Sequence, residues 1–129
     1  MKQSNTIRNR REYLIGNLKY DYDKLNDLLY VYKKDSNAYS TVMVGDFHLE
    51  LNKQGELVGI EVLQASDILN EYGISKKILD NIEKIELKVV VNNNSMLIFL
   101  VINGLEQQRH ATITMNNLES PIIQAIEAA

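Results

Sequence analysis

The 129-residue chain contains no cysteine. That excludes disulfides, thiolate nucleophiles and sulfur-ligated zinc, and it suits a reducing cytosol. Tryptophan is absent and there is one proline, Pro121. Two histidines, His48 and His110, leave few imidazoles for acid–base work or metal binding. Glycine occurs six times, but never as a phosphate-cradling Walker loop or a dinucleotide fingerprint. No serine sits in a nucleophile elbow. The longest apolar run, Met96 to Ile102, has the length of a buried strand, whereas a membrane-spanning helix needs about 20 apolar residues. The polar N-terminus lacks the apolar region of a signal peptide. The expectation is a cytoplasmic protein without a membrane association, and no residue pattern asks for a cofactor.

What is present is an ordinary globular composition of a size that suits one domain, residues 1–129. The charge is unevenly placed. Lys2, Arg8, Arg10 and Arg11 against Glu12 give residues 1–12 a net charge of +3, which leaves −6 for the rest of a chain whose total is −3. Residues 1–12 therefore read as a flexible basic arm on an acidic body. Arg8, Arg10 and Arg11 could meet nucleic acid, but the acidic body argues against a broad phosphate-binding surface.

Turn chemistry and period-2 alternation divide the chain into strands. A helix is possible from Thr6 to Leu14. Strands follow near Leu18–Tyr22, Leu28–Lys33, Ser40–Val44, Asp46–Leu51 and Leu57–Leu63, with Gly45 as a bulge or bend. In Leu28–Lys33 the aromatic face of Tyr30 and Tyr32 alternates with the aliphatic face of Leu29 and Val31. After Leu63 the period becomes helical through Ala65, Ile68, Leu69 and Tyr72, ending at Gly73. A second short helix fits Ser75–Ile82 with Ser75 as its N-cap. A three-stranded meander then fits Lys84–Val91, Ser95–Ile102 and Leu105–Met115, turning at Asn92–Asn94 and at Asn103–Gly104. Its middle strand, apolar on both faces, should be central and covered on both sides. Pro121 suits the first turn of a last helix carrying Ile122, Ile123 and Ile126. The predicted fold is α+β and strand-rich: antiparallel hairpins and a C-terminal three-stranded meander with two or three short helices.

The register of the central hairpin follows from its apolar residues. Pairing Asn52 with Leu57 leaves a four-residue loop. It also sets Leu51 opposite Val58, Leu49 opposite Ile60 and Phe47 opposite Val62, all on one face. A slip of one residue would place Leu49 across from Gly59 and spoil that face. The register puts Glu50 opposite Gly59 and His48 opposite Glu61.

Three blocks of this sequence, Tyr20-Asp21 (or Tyr22-Asp23), Asp27-Leu28-Leu29-Tyr30-Val31-Tyr32 and Gly55 to Ser66, resemble a family of small prokaryotic domains of unknown function. The family pattern is a Tyr-Asp strand, an Asp-x-Leu-Tyr strand and a Gly-x-Leu-Val-Gly-Ile-Glu-Ile-Leu-x-Ala hairpin arm. The middle block departs from it, with Leu28 directly after Asp27. The resemblance covers about residues 20–70 and leaves the C-terminal meander outside. It implies a compact β-rich fold and self-association as a homodimer. Some similar domains are encoded beside small toxin-like proteins of ribonuclease type, which implies an antitoxin-like role with a protein partner encoded nearby. It transfers no catalytic residue.

Four side chains, Asp46, His48, Glu50 and Glu61, share one face under this register. Histidine among carboxylates can bind a divalent metal or exchange protons, which would suit a metal-assisted hydrolase or a small-ligand binder. The competing reading, which alternation itself favours, is a solvated strand face whose His48–Glu61 pair is worth under about 1 kcal/mol. Asp21, Asp23 and Asp27 fail as a calcium loop, because Asn26 and Tyr32 stand where Gly and Glu are needed; they read as turn formers. Arg109-His110 could meet a phosphate or partner carboxylate, or protect a sheet edge. The aromatic set Tyr20, Tyr22, Tyr30, Tyr32 and Tyr39 could form a stacking platform or an interface patch, but Tyr20, Tyr30 and Tyr32 are expected instead to cover the core with wet hydroxyls. The function that fits these residues is a non-enzymatic protein-interaction module.

Overall fold

The computed structural model describes residues 10–13 and 18–116. In chain order its elements are strands β1 (Arg10–Tyr13), β2 (Leu18–Asp23), β3 (Leu28–Lys33), β4 (Ser40–Val44), β5 (Phe47–Leu51) and β6 (Leu57–Val62), helices α1 (Ala65–Asn70) and α2 (Lys76–Leu79), and strands β7 (Ile82–Asn92), β8 (Ser95–Gly104) and β9 (Gln107–Met115). They form a five-stranded sheet in the order β2-β3-β6-β5-β4 and a four-stranded sheet in the order β1-β7-β8-β9. Every pairing is antiparallel. The strand-rich α+β architecture and the C-terminal meander β7-β8-β9 are those the alternation predicts. Arg8 and the segment from Pro121 to Ile126 lie outside the described residues.

One core joins the two sheets. Leu29 and Val31 of β3, Leu49 of β5 and Ile60 and Val62 of β6 pack with Leu87 and Val89 of β7 and Ile98, Leu100 and Ile102 of β8. These are alternate residues of their strands, as burial of one face requires. Ala65 and Leu69 of α1 and Ile78 and Leu79 of α2 extend the same core. Ser75 caps α2 by accepting a hydrogen bond from the Ile78 N–H at 3.3 Å.

The structure corrects the expected strands, helices and turns at five places. Arg10–Tyr13 is not helical; it adds a strand beside β7, pairing Arg10 with Asn92 and Tyr13 with Val89. The rest of the expected helix lies outside the described residues. Of the two readings of Gly45 the bend holds, since it is the first residue of a two-residue turn with φ +57°, but Asp46 completes that turn instead of opening the next strand, β5. The β5–β6 register holds from Phe47↔Val62 to Glu50↔Gly59, then shifts, so that Leu51 pairs with Leu57 and Val58 is the extra residue of a bulge. Asn52 causes this. Its Oδ1 accepts from the N–H groups of Gln54 and Glu56 at 3.0 and 2.9 Å, and its own N–H bonds to the Glu56 carbonyl at 2.9 Å. The loop closes one residue early, with Gly55 at φ +79°.

The fourth correction concerns β8, which is interior to its sheet but alternates. Met96, Ile98, Leu100 and Ile102 are buried, whereas Leu97, Phe99 and Val101 are only half-buried, with the Lys88 ammonium 5.2 Å from the Phe99 ring centre. The fifth is the last turn, which falls on Leu105-Glu106, both at positive φ (54° and 60°), while Asn103 and Gly104 remain in β8. Gly104 serves close approach instead. A Cβ there would lie 2.6 Å from the Asn81 carbonyl oxygen. Gly104→Ala is therefore expected to lower stability by about 2 to 3 kcal/mol, because the obstructing atom is backbone and cannot swing aside; urea denaturation monitored by circular dichroism checks this.

Candidate functional site

The outward face of the five-stranded sheet is built in two rows. Strand pairing places Asp21, Tyr30, Glu61, His48 and Met43 side by side across β2, β3, β6, β5 and β4. One step along, it aligns Lys19, Tyr32, Gly59, Glu50 and Thr41. The alternation that buries Leu29, Val31, Leu49 and Ile60 puts these residues on the other side. Tyr30 and Tyr32 therefore do not cover the core. They stack on the outer face, with ring centroids 4.6 Å apart and planes 20° from parallel. Gly59 makes this possible: a Cβ there would meet Tyr30 Cε1 at 3.0 Å and Tyr32 Cβ at 3.3 Å.

Glu50 is buried beneath this face, only 8% exposed, and accepts a hydrogen bond from Thr41 Oγ1 at 2.8 Å. Glu61 lies diagonally across the ladder. Burial, then a hydrogen bond shared with Glu50 and the repulsion between the two carboxylates, push Glu61 above the ordinary carboxyl range, while His48 opposes the shift. Burial and the same two glutamates push the Tyr30 hydroxyl up as well. The arrangement is a close pair of carboxyl groups, Glu50 and Glu61, beside a tyrosine stack.

Three of the four acidic-face candidates, His48, Glu50 and Glu61, are thus brought together, whereas Asp46 is left exposed in the β4–β5 turn. Among the described residues, no group of three or more His, Asp or Glu side chains is arranged to hold a metal ion. Clefts of about 180, 480 and 350 Å³ lie elsewhere, near Tyr22 and Asp80, near Lys34 and Glu83, and near Asn37 and Lys53; none is lined by His48, Glu50 or Glu61. Of the basic candidates, Arg10 and Arg11 belong to β1, and Arg8 is not among the described residues. Arg109 does not point to a ligand; its Nε donates to the Gly73 carbonyl at 3.2 Å and one terminal nitrogen donates to Gln107 Oε1 at 2.7 Å, tying edge strand β9 to the end of the α1 turn. His110 is exposed beside Gln108.

The residue whose role the sequence reading missed is Asp27. It ends the β2–β3 turn in the left-handed region, φ 52°. Asp23 builds the turn, accepting the backbone N–H groups of Leu25 and Asn26 at 3.0 and 3.1 Å. Asp27 reaches the start of α1 instead. Its carbonyl accepts from the Ala65 N–H at 2.9 Å, Oδ1 accepts from the Ser66 N–H at 3.0 Å, and Oδ2 accepts from the Ser66 hydroxyl at 2.6 Å. The Tyr22 hydroxyl donates to Oδ1, and Lys76 reaches Tyr22 and the Lys24 carbonyl. Asp27 caps a helix 39 residues away. Burial works against its charge, but the bonds from Ser66 and Tyr22 outweigh this and hold it below the usual carboxylate range. Burial, and then the same hydrogen bond, drive the Tyr22 hydroxyl far above its ordinary value.

This cap decides how the chain's most recognisable blocks are read. Residues 19–66 match the family described as protein of unknown function (DUF2283). The matched segment begins in β2 and ends on Ser66, so it holds both Asp27 and the residues Asp27 caps, together with the outer face just described. An uncharacterised protein of Methanocaldococcus jannaschii is 36% identical over 64 residues, spanning 48% of this chain and 55% of that protein. The chain therefore spans about half the length of that relative. A Methanosarcina mazei protein named "Putative hypoxanthine phosphoribosyltransferase" is 27% identical over 124 residues, 92% of this chain and 97% of that one. No solved structure matches.

Two outcomes follow from the site's electrostatics. Asp27→Ala is expected to lower stability by about 2 to 3 kcal/mol, since it removes a cap and orphans the Tyr22 hydroxyl, whereas Asp27→Asn should cost about half that. The wild-type contribution of this group is present above its unfolded value of 3.8 and lost as pH falls through its depressed folded value, so the gap between wild type and Asp27→Ala should close in acid. Glu61 has the opposite sign. Its folded value lies above 4.5, so the native state holds the proton more tightly and stability falls as pH rises from about 4.5 through that higher value. Glu61→Gln should lack this fall and be more stable than wild type at pH 7, as thermal melts across pH 4 to 8 would show.

Proposed function

We propose that this chain is a non-enzymatic interaction module that binds a protein partner through the outward face of its five-stranded sheet. The observation that carries the reading is the face itself: stacked Tyr30 and Tyr32 beside the Glu50–Glu61 pair, with Met43 at 67% exposure on the same side. A flat surface rich in tyrosine and methionine suits a protein contact, whereas small molecules are taken up in concave sites. The chemistry favours a basic partner. An arginine side chain laid on the tyrosine pair can place its guanidinium against Glu61, combining stacking with a charge-assisted bond. The net charge of −6 outside residues 1–12 steers the same class of partner.

An antitoxin-like role agrees with this. A ribonuclease-type protein encoded nearby must carry basic residues to hold its own nucleic-acid substrate, and an acidic, aromatic face is suited to cover them. The absence of cysteine supports placing the complex in a reducing cytosol. We do not carry the Methanosarcina relative's named activity to this chain. A phosphorylated substrate is commonly held by a loop at a helix N-terminus, and here the N-terminus of α1 is occupied by the Asp27 carboxylate.

The test is co-expression with the product of an adjacent gene and purification through a tag on this chain. A stoichiometric complex is expected that weakens as salt rises, that Glu61→Lys disrupts and that Tyr32→Ala loosens at least tenfold. A complex indifferent to both substitutions, or no complex with either neighbouring product, would overturn the reading.

A further inference from the structure

Two sheets present four edges, and three of them carry charge. β1 has Glu12; β2 has Lys19, Asp21 and Asp23; β9 has Arg109. Charged side chains along an edge discourage another strand from adding to it. The fourth edge, β4, reads Ser-Thr-Val-Met-Val and carries no charge at all. Among the described residues its one strand neighbour is β5, which leaves the backbone groups of its other side unpaired by any described strand. Val42 and Val44 are half-buried against the core, but Met43 is 67% exposed, and Tyr39, immediately before the strand, is 69% exposed. An uncharged, exposed edge is a template for one more strand.

We propose that β4 is a self-association edge, pairing antiparallel with β4 of a second copy about a twofold axis at Val42. Such a contact is isologous: each residue meets its symmetry counterpart's partner, so one edge serves both copies. Pairing the whole five-residue strand sets Val42 opposite Val42 and Thr41 opposite Met43 of the other copy. The ends of the strand supply charge complementarity. At one end is the exposed Asp46 of the β4–β5 turn. At the other, Lys53 sits with its ammonium 5.8 Å from the Tyr39 ring centre. Antiparallel pairing brings Asp46 of each copy to the Lys53 end of the other, twice per dimer; Asp35 shares that end, so the attraction is partial. The two five-stranded sheets become one continuous sheet of ten strands. The outer faces then lie side by side. This inference rests on the edge and stands apart from the partner-binding reading, which rests on the face.

Sedimentation velocity on the full chain from about 1 to 200 µM tests it. Wild type should sediment at twice the 14.8 kDa chain mass in the upper part of that range. Met43→Lys is expected to shift the dimer midpoint at least tenfold upward, with a circular dichroism spectrum unchanged because Met43 is exposed. Asp46→Lys should also weaken association, and Asp46→Lys with Lys53→Glu should recover it. A monomer throughout the range, or a dimer that neither Met43→Lys nor Asp46→Lys weakens, would overturn the proposal. Met43 also belongs to the outer face, so Asp46→Lys separates the two readings. It should weaken the dimer while leaving capture of the adjacent-gene product intact, whereas Glu61→Lys should do the reverse.

Discussion

One carboxylate holds the two halves of the molecule in register. Asp27 leaves the β2–β3 turn at positive φ, a conformation that aspartate tolerates better than most residues, and from there it satisfies the first donors of α1. α1 leads to α2, and α2 leads directly into β7, the strand that begins the second sheet. The position of the four-stranded sheet over the five-stranded one thus depends on where α1 starts. Tyr22 and Lys76 reinforce the same point from either side, so the cap is a small polar network instead of a single bond.

Once that corner is fixed, the outer face follows from parity. Strands β3, β5 and β6 must turn their aliphatic residues inward, and the residues between them are forced out together. Gly59 then determines what those residues can do. With no side chain at that position, the Tyr30 ring lies close against β6 at Gly59, whose partner on β5 is the buried Glu50. A larger residue would push against the Tyr30 and Tyr32 side chains. The raised proton affinity of Glu61 comes from its burial and from Glu50 beside it, against the opposing pull of His48, and so belongs to the face and not to Glu61 alone.

Much of this was legible in the order of residues, and the limits have physical causes. Alternation located β3 and β4 at their observed ends, and the apolar facing of Phe47, Leu49, Ile60 and Val62 determined the hairpin register. The register broke only where the side chain of Asn52 overrode strand pairing. The Asn103-Gly104 signal misled because glycine answers two needs, positive φ and close approach, and here the second applied. The pairing of His48 with Glu61 was visible because β5 and β6 are neighbours in sequence. Tyr30 opposite Glu61 was not, because β3 and β6 are adjacent only in space and no local pattern encodes which strands become neighbours. Asp27 carried the expected turn signal, and nothing in the sequence near it pointed to a helix 39 residues on.

The shared core has a consequence for how such a segment can be inherited. The matched region, residues 19–66, contains almost the whole five-stranded sheet but none of β7, β8 or β9. Its inner surface, with Leu29, Leu49 and Ile60 at 0–1% exposure, is dry only because those three strands lie over it. Severed at Ser66, it would be half a sandwich with its filling exposed. The segment is thus a building block that requires a lid, and the sequence of that lid is free to vary as long as it is apolar on one side. Whatever lid covers the inner surface, the acidic, tyrosine-bearing face of this chain lies on the other side of the sheet from it.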